Sequence, residues 1–239
     1  MKQKKKHMTA ETADLTPILQ SQTLEQIRQK SHGFITLMSY YKCAMMEVET
    51  KLNVLNEEFS LRFDRNPINS IQSRLKSPVS IEEKLASRNL PMTLQTIEKN
   101  LNDIAGVRVI CSFLEDIYLL ADCLLQQDDI TLIEQKDYIA NPKPNGYRSL
   151  HLIVQIPIYL QAGKRNMRVE IQLRTIAMDC WASLEHQLRY KKNLANTKQI
   201  SAELQRCAAI SAELDMRMDR LRKQLIDESD HEKRSEFGL

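Results

Sequence analysis

No stretch of the 239-residue sequence approaches the run of about 18 apolar residues that a membrane helix needs, and the basic start, Lys2 to His7, has no apolar segment behind it. A secreted or membrane-spanning protein is not expected. Paired cysteines are lacking too: Cys43, Cys111, Cys123, Cys180 and Cys207 are odd in number, widely spaced and free of any C-x-x-C. That pattern disfavours a disulfide framework and a zinc site and predicts reduced thiols in a cytoplasmic protein. Excess charge is small, with a formal net charge of +3 held partly in the N-terminal lysine run, too little to announce a nucleic-acid binder. Internal repeats are absent. What remains is 42% hydrophobic and 27% charged residues, the balance of a globular protein with one substantial core.

The pattern along the chain predicts an α+β fold, a mixed β-sheet flanked by helices with helical extensions at both ends. Pro17, Ile18, Leu19, Leu24 and Ile27 read as a first helix, and Phe34 to about Leu61 as a longer one, with Gly33 between them. Asp64 to Pro67 reads as a turn, and Ser70 to Val79 as a basic loop. Strands are expected at Val107–Cys111, Thr131–Ile139, Leu150–Ile158 and Met167–Leu173, and a helix near Asp116–Gln126. Asn141 to Gly146, with two prolines and a glycine, must be a loop. Ile176, Cys180, Leu184 and Leu188 mark a buried helix face behind a Thr175 N-cap. A last helix carries a heptad-like stripe of Ile200, Leu204, Cys207, Leu214, Met218, Leu221 and Leu225, which suits either its own domain or another subunit. The expected divisions are an N-terminal tail and helices (1–62), a core (63–195), a C-terminal helix (196–226) and a disordered tail (227–239).

Several segments carry chemistry. Ser80 with Glu83 three residues on is a capping-box pattern, so a helix start at Ser80 flanked by Arg74, Lys76 and Lys84 is either an ordinary capped helix or an anion site. Strand 167–174 alternates, with Arg168, Glu170, Gln172 and Arg174 on one face, either solvated or the floor of a polar cleft. Asp103, at the entrance to a neighbouring strand, offers a second carboxylate, and two such groups together can hold Mg²⁺. Tyr147, among Lys143, Asn145, Arg148 and His151, is either a plug at the sheet edge or a platform for stacking on a base.

Taken in order, these pieces resemble the synthetase domain of the RelA/SpoT family, the enzymes that make the alarmones (p)ppGpp. The matching segments are Arg74-x-Lys76-x3-Ser80-x3-Lys84, Asp103-Ile-Ala-Gly-Val-Arg108, Asp137-Tyr-Ile, Lys143-Pro-Asn-Gly-Tyr-Arg-Ser-Leu-His151, Val169-Glu-Ile-Gln-Leu-Arg-Thr175 and Ala177-Met-Asp-x-Trp-Ala-x-Leu-Glu-His186. The resemblance implies a nucleotidyltransferase-like sheet with two nucleotide pockets, in which the 3′-hydroxyl of GTP or GDP attacks the β-phosphorus of ATP and AMP leaves. It implies that Arg74 and Arg108 sandwich adenine, and that Lys76, Ser80 and Lys84 hold the ATP phosphates. Asp103 and Glu170 are the implied Mg²⁺ ligands and catalytic residues, Glu170 also taking the proton from the hydroxyl. Tyr147 is the implied guanine platform, with Lys143, Asn145, His151 and Gln172 beside it.

The sequence has no His-Asp dipeptide and no room for a hydrolase or regulatory domain, so it resembles a stand-alone small alarmone synthetase of the stringent response. That subgroup implies a homotetramer built through terminal helices; single-stranded RNA is a further partner that the sequence leaves open. Two rivals stay open: the same transfer to a tRNA 3′ end or an adenine nucleotide, and a nucleotide or RNA sensor that does not catalyse. Labelled ATP with alternative acceptors separates the first, and retention of both Asp103 and Glu170 speaks against the second.

Overall fold

A computed structural model describes residues 16–63, 65–190 and 197–236, with the side chains of 16–30, 63, 189–190, 197–198 and 227–236 left aside. The lysine run and the start of the turn at Asp64 lie outside the described residues. In chain order the elements are α1 (Thr16–Phe63), β1 (Ile68–Leu75), α2 (Pro78–Ala86), α3 (Leu94–Asn100), β2 (Ala105–Cys111), α4 (Leu114–Leu125), β3 (Thr131–Asp137), β4 (Leu150–Leu160), β5 (Gly163–Thr175), α5 (Ile176–Tyr190) and α6 (Thr197–Glu236). The strands form one mixed sheet ordered β1-β2-β5-β4-β3, in which only β2 and β5 are parallel. The expected α+β class is correct.

Alternation gives the sheet two unlike faces. Val107 and Val109 on β2, Leu150, Leu152, Val154 and Ile156 on β4, and Val169, Ile171 and Leu173 on β5 are buried in the core. Helix α1 meets that core through Leu37, Tyr41, Ala44, Val48, Leu52, Leu55 and Phe59, all buried and spaced by three and four along one stripe. The residues between them point the other way, and the register lines them up. Gly106 lies beside Glu170, Arg108 beside Gln172, His151 beside Gln172 on the other flank, and Arg74 opposite Gly106.

Several boundaries depart from the expectations. Gly33 does not divide two helices; α1 runs through it, because a single helical glycine costs only about 1 kcal/mol and this one admits a neighbour. A Cβ there would sit 3.0 Å from Leu94 Cδ1 at the start of α3, an element the sequence pattern did not reveal. The stretch read as a basic loop at 70–79 is mostly β1, an edge strand whose polar residues obscure any alternation. Its helix starts at Ser77 rather than Ser80. Ser77 is extended, as the residue before a proline prefers, Pro78 takes the first helical position, and the Ser77 hydroxyl accepts from Ser80 N at 3.2 Å.

At the other end, Thr175 caps α5 as expected, its hydroxyl accepting from Met178 N at 3.1 Å. The expected buried stripe is nevertheless exposed: Ile176, Cys180, Leu184 and Leu188 face outward, while Met178 and Trp181 are the buried residues. The stripe on α6 is likewise uncovered at Cys207, Leu214, Met218, Leu221 and Leu225, its inward residues being Ala208, Asp215 and Asp219. Periodicity detects an apolar stripe but not what covers it. Nor does the helix stop at 226; α6 continues to Glu236, so a disordered tail from 227 is not what the structure shows.

Asp116, in the first turn of α4 and fully buried, ties distant parts of the chain. Its Oδ1 accepts from Arg65 at 2.6 Å and from Arg222 of α6 at 3.3 Å. Asp116→Ala deprives Arg65 of this acceptor while Arg222 keeps Glu115 and Asp219, so the loss is set at about 3 kcal/mol, the lower end for a broken buried pair. Urea denaturation should show a lower midpoint at unchanged slope; an unchanged midpoint rejects the assignment.

Candidate active site

The polar face of β1, β2 and β5 opens on a cleft of about 420 Å³ lined by Gln72, Ser73, Arg74, Asp103, Gly106, Arg108, Glu170 and Gln172. Asp103 stands two residues before β2, with its side chain reached from α2 and from the β1–α2 connection. Lys76 Nζ and Lys84 Nζ each donate to its Oδ2 at 2.6 Å, while Oδ1 is buried and accepts no hydrogen bond. Burial pushes the Asp103 carboxyl up, but the two ammonium groups outweigh it and hold it below its ordinary value. Ser80 sits one turn before Lys84, its hydroxyl accepting from Ser77 at 3.0 Å. Arg74 and Arg108 come from neighbouring strands to the same cleft.

Deeper along β5 the side chains close a ring. Arg174 donates to the Tyr147 hydroxyl at 2.6 Å and to Gln172 Oε1 at 3.0 Å, and Gln172 Nε2 donates to Glu170 Oε2 at 2.9 Å. His151 completes it, with Nδ1 3.2 Å from Glu170 Oε1 and Nε2 2.7 Å from the Tyr147 hydroxyl. A carboxylate can only accept, so Nδ1 donates to Glu170, and in the tautomer this selects Nε2 is left to accept from the tyrosine hydroxyl. Glu170 is raised by burial, yet the hydrogen bonds from His151 and Gln172 prevail and keep it below its ordinary value. It is therefore ionised at neutral pH, as a base must be.

Tyr147 is delivered by a tight turn, with Gly146 N donating to Lys143 O at 2.8 Å and Lys143 N to Tyr147 O at 3.1 Å. Asn145 shapes this turn from within: its Oδ1 accepts from Tyr147 N at 3.2 Å and its Nδ2 donates to Glu185 of α5 at 3.2 Å. Lys143 Nζ hangs 4.4 Å from the Tyr138 ring centre and 4.7 Å from that of Tyr147. Tyr138 also meets Tyr147 and His151 edge to face, at 6.0 and 5.3 Å. Arg74, Lys76, Lys84, Asp103 and Arg108 thus gather at a basic end and Lys143, Tyr147, His151 and Gln172 at an aromatic end, joined by Glu170, while Ser80 is placed by Ser77 and Asn145 by Tyr147 N and Glu185.

Two contributors escaped the assignment of roles. Asp179, in the first turn of α5, bridges Arg108 at 3.3 Å and Arg174 at 3.1 Å, linking the two ends. It stands in the segment Ala177–His186 that carries the resemblance, but as an acidic residue after a helix start it more often serves the helix dipole. Arg174 is nearly fully buried, and alternation could not tell a buried guanidinium from a solvated one.

The donor set suits Mg²⁺. Asp103 Oδ1 and Glu170 are hard oxygen donors on one cleft, and among the described residues no group of three or more His, Cys, Asp or Glu is placed to hold a metal ion, so the other positions around Mg²⁺ would be left to substrate phosphates and water.

Residues 73–195 match the model of the region found in RelA and SpoT proteins. The chain is 44% identical to the GTP pyrophosphokinase YwaC of Bacillus subtilis over 77% of its own length and 88% of that relative, and 37% identical to YjbM of the same organism over 76% and 85%. It also superposes on the Bacillus subtilis small alarmone synthetase 1 bound to pppGpp, with a TM-score of 0.74 and 34% identity over 82% of this chain and 99% of that one. For small alarmone synthetase 2 the TM-score is 0.70 and the identity 41%, covering 78% and 96%.

Proposed function

The chain belongs to the RelA/SpoT family, and from that premise we propose that it makes (p)ppGpp, moving pyrophosphate from ATP to the 3′-hydroxyl of GTP or GDP with release of AMP. The observation that carries this reading is the ionised Glu170 between a phosphate-suited basic end and a base-suited tyrosine, with Asp103 beside it.

Arg74 and Arg108 offer flat cations to adenine, while Lys76, Ser80 and Lys84 offer donors to the ATP phosphates. As those lysines turn to phosphate, Asp103 Oδ2 is relieved of them. Asp103 and Glu170 would hold Mg²⁺, whose charge would be available to neutralise the transferred group. Glu170, fixed by His151 and Gln172, takes the proton of the 3′-hydroxyl, and Tyr147, Lys143 and His151 orient the guanine side, with Asn145 shaping the loop. Among the described residues no helix is long and apolar enough to cross a membrane, in keeping with a cytoplasmic enzyme. The exposed stripes of α5 and α6 support assembly into a homotetramer, which solution mass before and after deletion from Lys198 onward tests.

Supplying γ-labelled ATP and Mg²⁺ with GTP, GDP, ATP or tRNA in parallel tests the transfer. Label on the guanine nucleotides is the expected result; label on tRNA alone overturns the acceptor. His151→Ala should move the acid limb of kcat/KM to higher pH, since it removes the largest hydrogen bond that lowers Glu170, and a base with a raised pKa protonates sooner as pH falls. An acid limb that stays in place would mean that Glu170 is not the titrating base.

A further inference from the structure

Helix α6 has one face that the proposed reaction does not explain. Gln205, Ala208 and Asp215 lie on one side of it, spaced by three and seven residues, and all meet the loop that carries Tyr147. Gln205 Nε2 donates to Pro144 O at 2.5 Å, and Arg148 donates to Asp215 Oδ2 at 3.5 Å. Between them, a Cβ added to Gly146 would fall 2.5 Å from Ala208 Cβ and 3.8 Å from Gln205 Cα. Gly146 also holds φ at +90°, where side chains are rarely tolerated. Loop and helix approach too closely here to admit a side chain at 146 without a shift.

Helix α6 is itself fastened. Trp181 of α5 donates from Nε1 to Leu204 O at 2.9 Å, and its Cζ2 lies 3.8 Å from the same Gly146 position. The loop is therefore gripped at residues 144, 146 and 148, on both sides of Tyr147, while the Tyr147 hydroxyl points to His151 and Arg174. Loop conformation and tyrosine pose are set together. The basic end is built separately, from β1, α2 and the residues before β2.

We propose that α6 is a positioning element of the acceptor pocket: Gln205, Ala208 and Asp215 clamp the 144–148 loop so that Tyr147 meets the acceptor base in a fixed pose. This rests on the reading of Tyr147 as the guanine platform. The helix touches neither substrate and acts through the loop.

The test separates the two substrates. Ala208→Leu, which places bulk under Gly146, should raise KM for GDP or GTP by about tenfold while leaving KM for ATP within about twofold, because misplacing an oriented group by about 1 Å costs up to about 10²-fold. Gly146→Ala should act in the same direction. Adding Ala208→Gly to Gly146→Ala should recover part of the loss, the remainder being backbone strain. Gln205→Ala, an exposed change that spares the core, should raise the acceptor KM about threefold and decides the matter if Ala208→Leu does not fold. Trp181, the sole tryptophan, should shift its emission in the Ala208 and Gly146 variants.

Equal rises in both KM values, a wild-type acceptor KM in every variant, or no recovery in the double variant would each overturn the clamp. Binding of a fluorescent GDP analogue, measured without turnover, keeps the two readings apart. Wild type that binds it but forms no product sinks the transfer reading alone. Wild type that turns over while the variants keep its acceptor KM sinks the clamp alone.

Discussion

Glu170→Gln should lower kcat by about 10²–10⁴-fold and leave nucleotide binding largely in place, the range expected when a positioned general base is lost. The amide matches the carboxylate in shape, so β5 and its neighbours Gly106 and Ile153 need not move. The ring still closes geometrically: one amide oxygen accepts from His151, while the amide nitrogen faces Gln172 Nε2, which must then rotate. In the proposed reaction what disappears is the proton acceptor and one anionic oxygen offered to Mg²⁺. Rapid-quench turnover with saturating ATP and GDP reads kcat, and equilibrium binding of a fluorescent GDP analogue reads the pocket. A variant with wild-type kcat would remove Glu170 from the chemistry, and a variant that loses binding in proportion to kcat would make it a structural residue instead.

Asp103→Asn is expected to reduce kcat/KM by about 10³-fold, since a metal ligand supplies several kcal/mol of charge stabilisation and each 1.4 kcal/mol is a factor of ten. ATP binding in the absence of Mg²⁺ should hold or tighten. Lys76 and Lys84 both spend their ammonium groups on Asp103, and a neutral amide there leaves them free for phosphate. The opposite signs are the useful feature: Mg²⁺-free ATP affinity up, Mg²⁺-dependent transfer down. Calorimetry with and without the ion measures the first and product formation against Mg²⁺ concentration the second. Transfer at the wild-type rate, or metal-free ATP affinity falling with the charge, contradicts the role given to Asp103. Proton linkage points the same way. Because the Asp103 carboxyl is held below its ordinary value, its ion pairs stabilise the fold above the usual carboxylate range and that contribution fades as pH falls through the folded value.

How well the sequence could be read varied with the kind of signal. The alternation at 167–174 was correct to the residue, because a strand covered on one side must place Val169, Ile171 and Leu173 in the core and the residues between them on the other face. Thr175 was legible as a cap, since a free helix N–H needs a local acceptor. The edge strand β1 was not, because its residues answer to a cleft and a single neighbour rather than to a core. Ser77 was passed over for Ser80, as two capping patterns overlapped and the proline at 78 decided between them. Gly33 reads as a break in the sequence but marks the approach of Leu94, a contact from a distant segment.

The loop of Tyr147 and the polar strand of Glu170 could be found by sequence, as could the residue types at each end of the site, for these depend on local patterning and on segment order. Only the tertiary structure decided how they work together. The parallel pairing of β2 with β5 sets Gly106 beside Glu170 and brings Asp103 to its side, β4 supplies His151 between Tyr147 and Glu170, and α6 supplies Ala208 beneath Gly146. Side-chain alternation is a property of neighbouring residues, whereas strand order, and the close approach of a helix to a loop some 60 residues away, follow from packing the whole core.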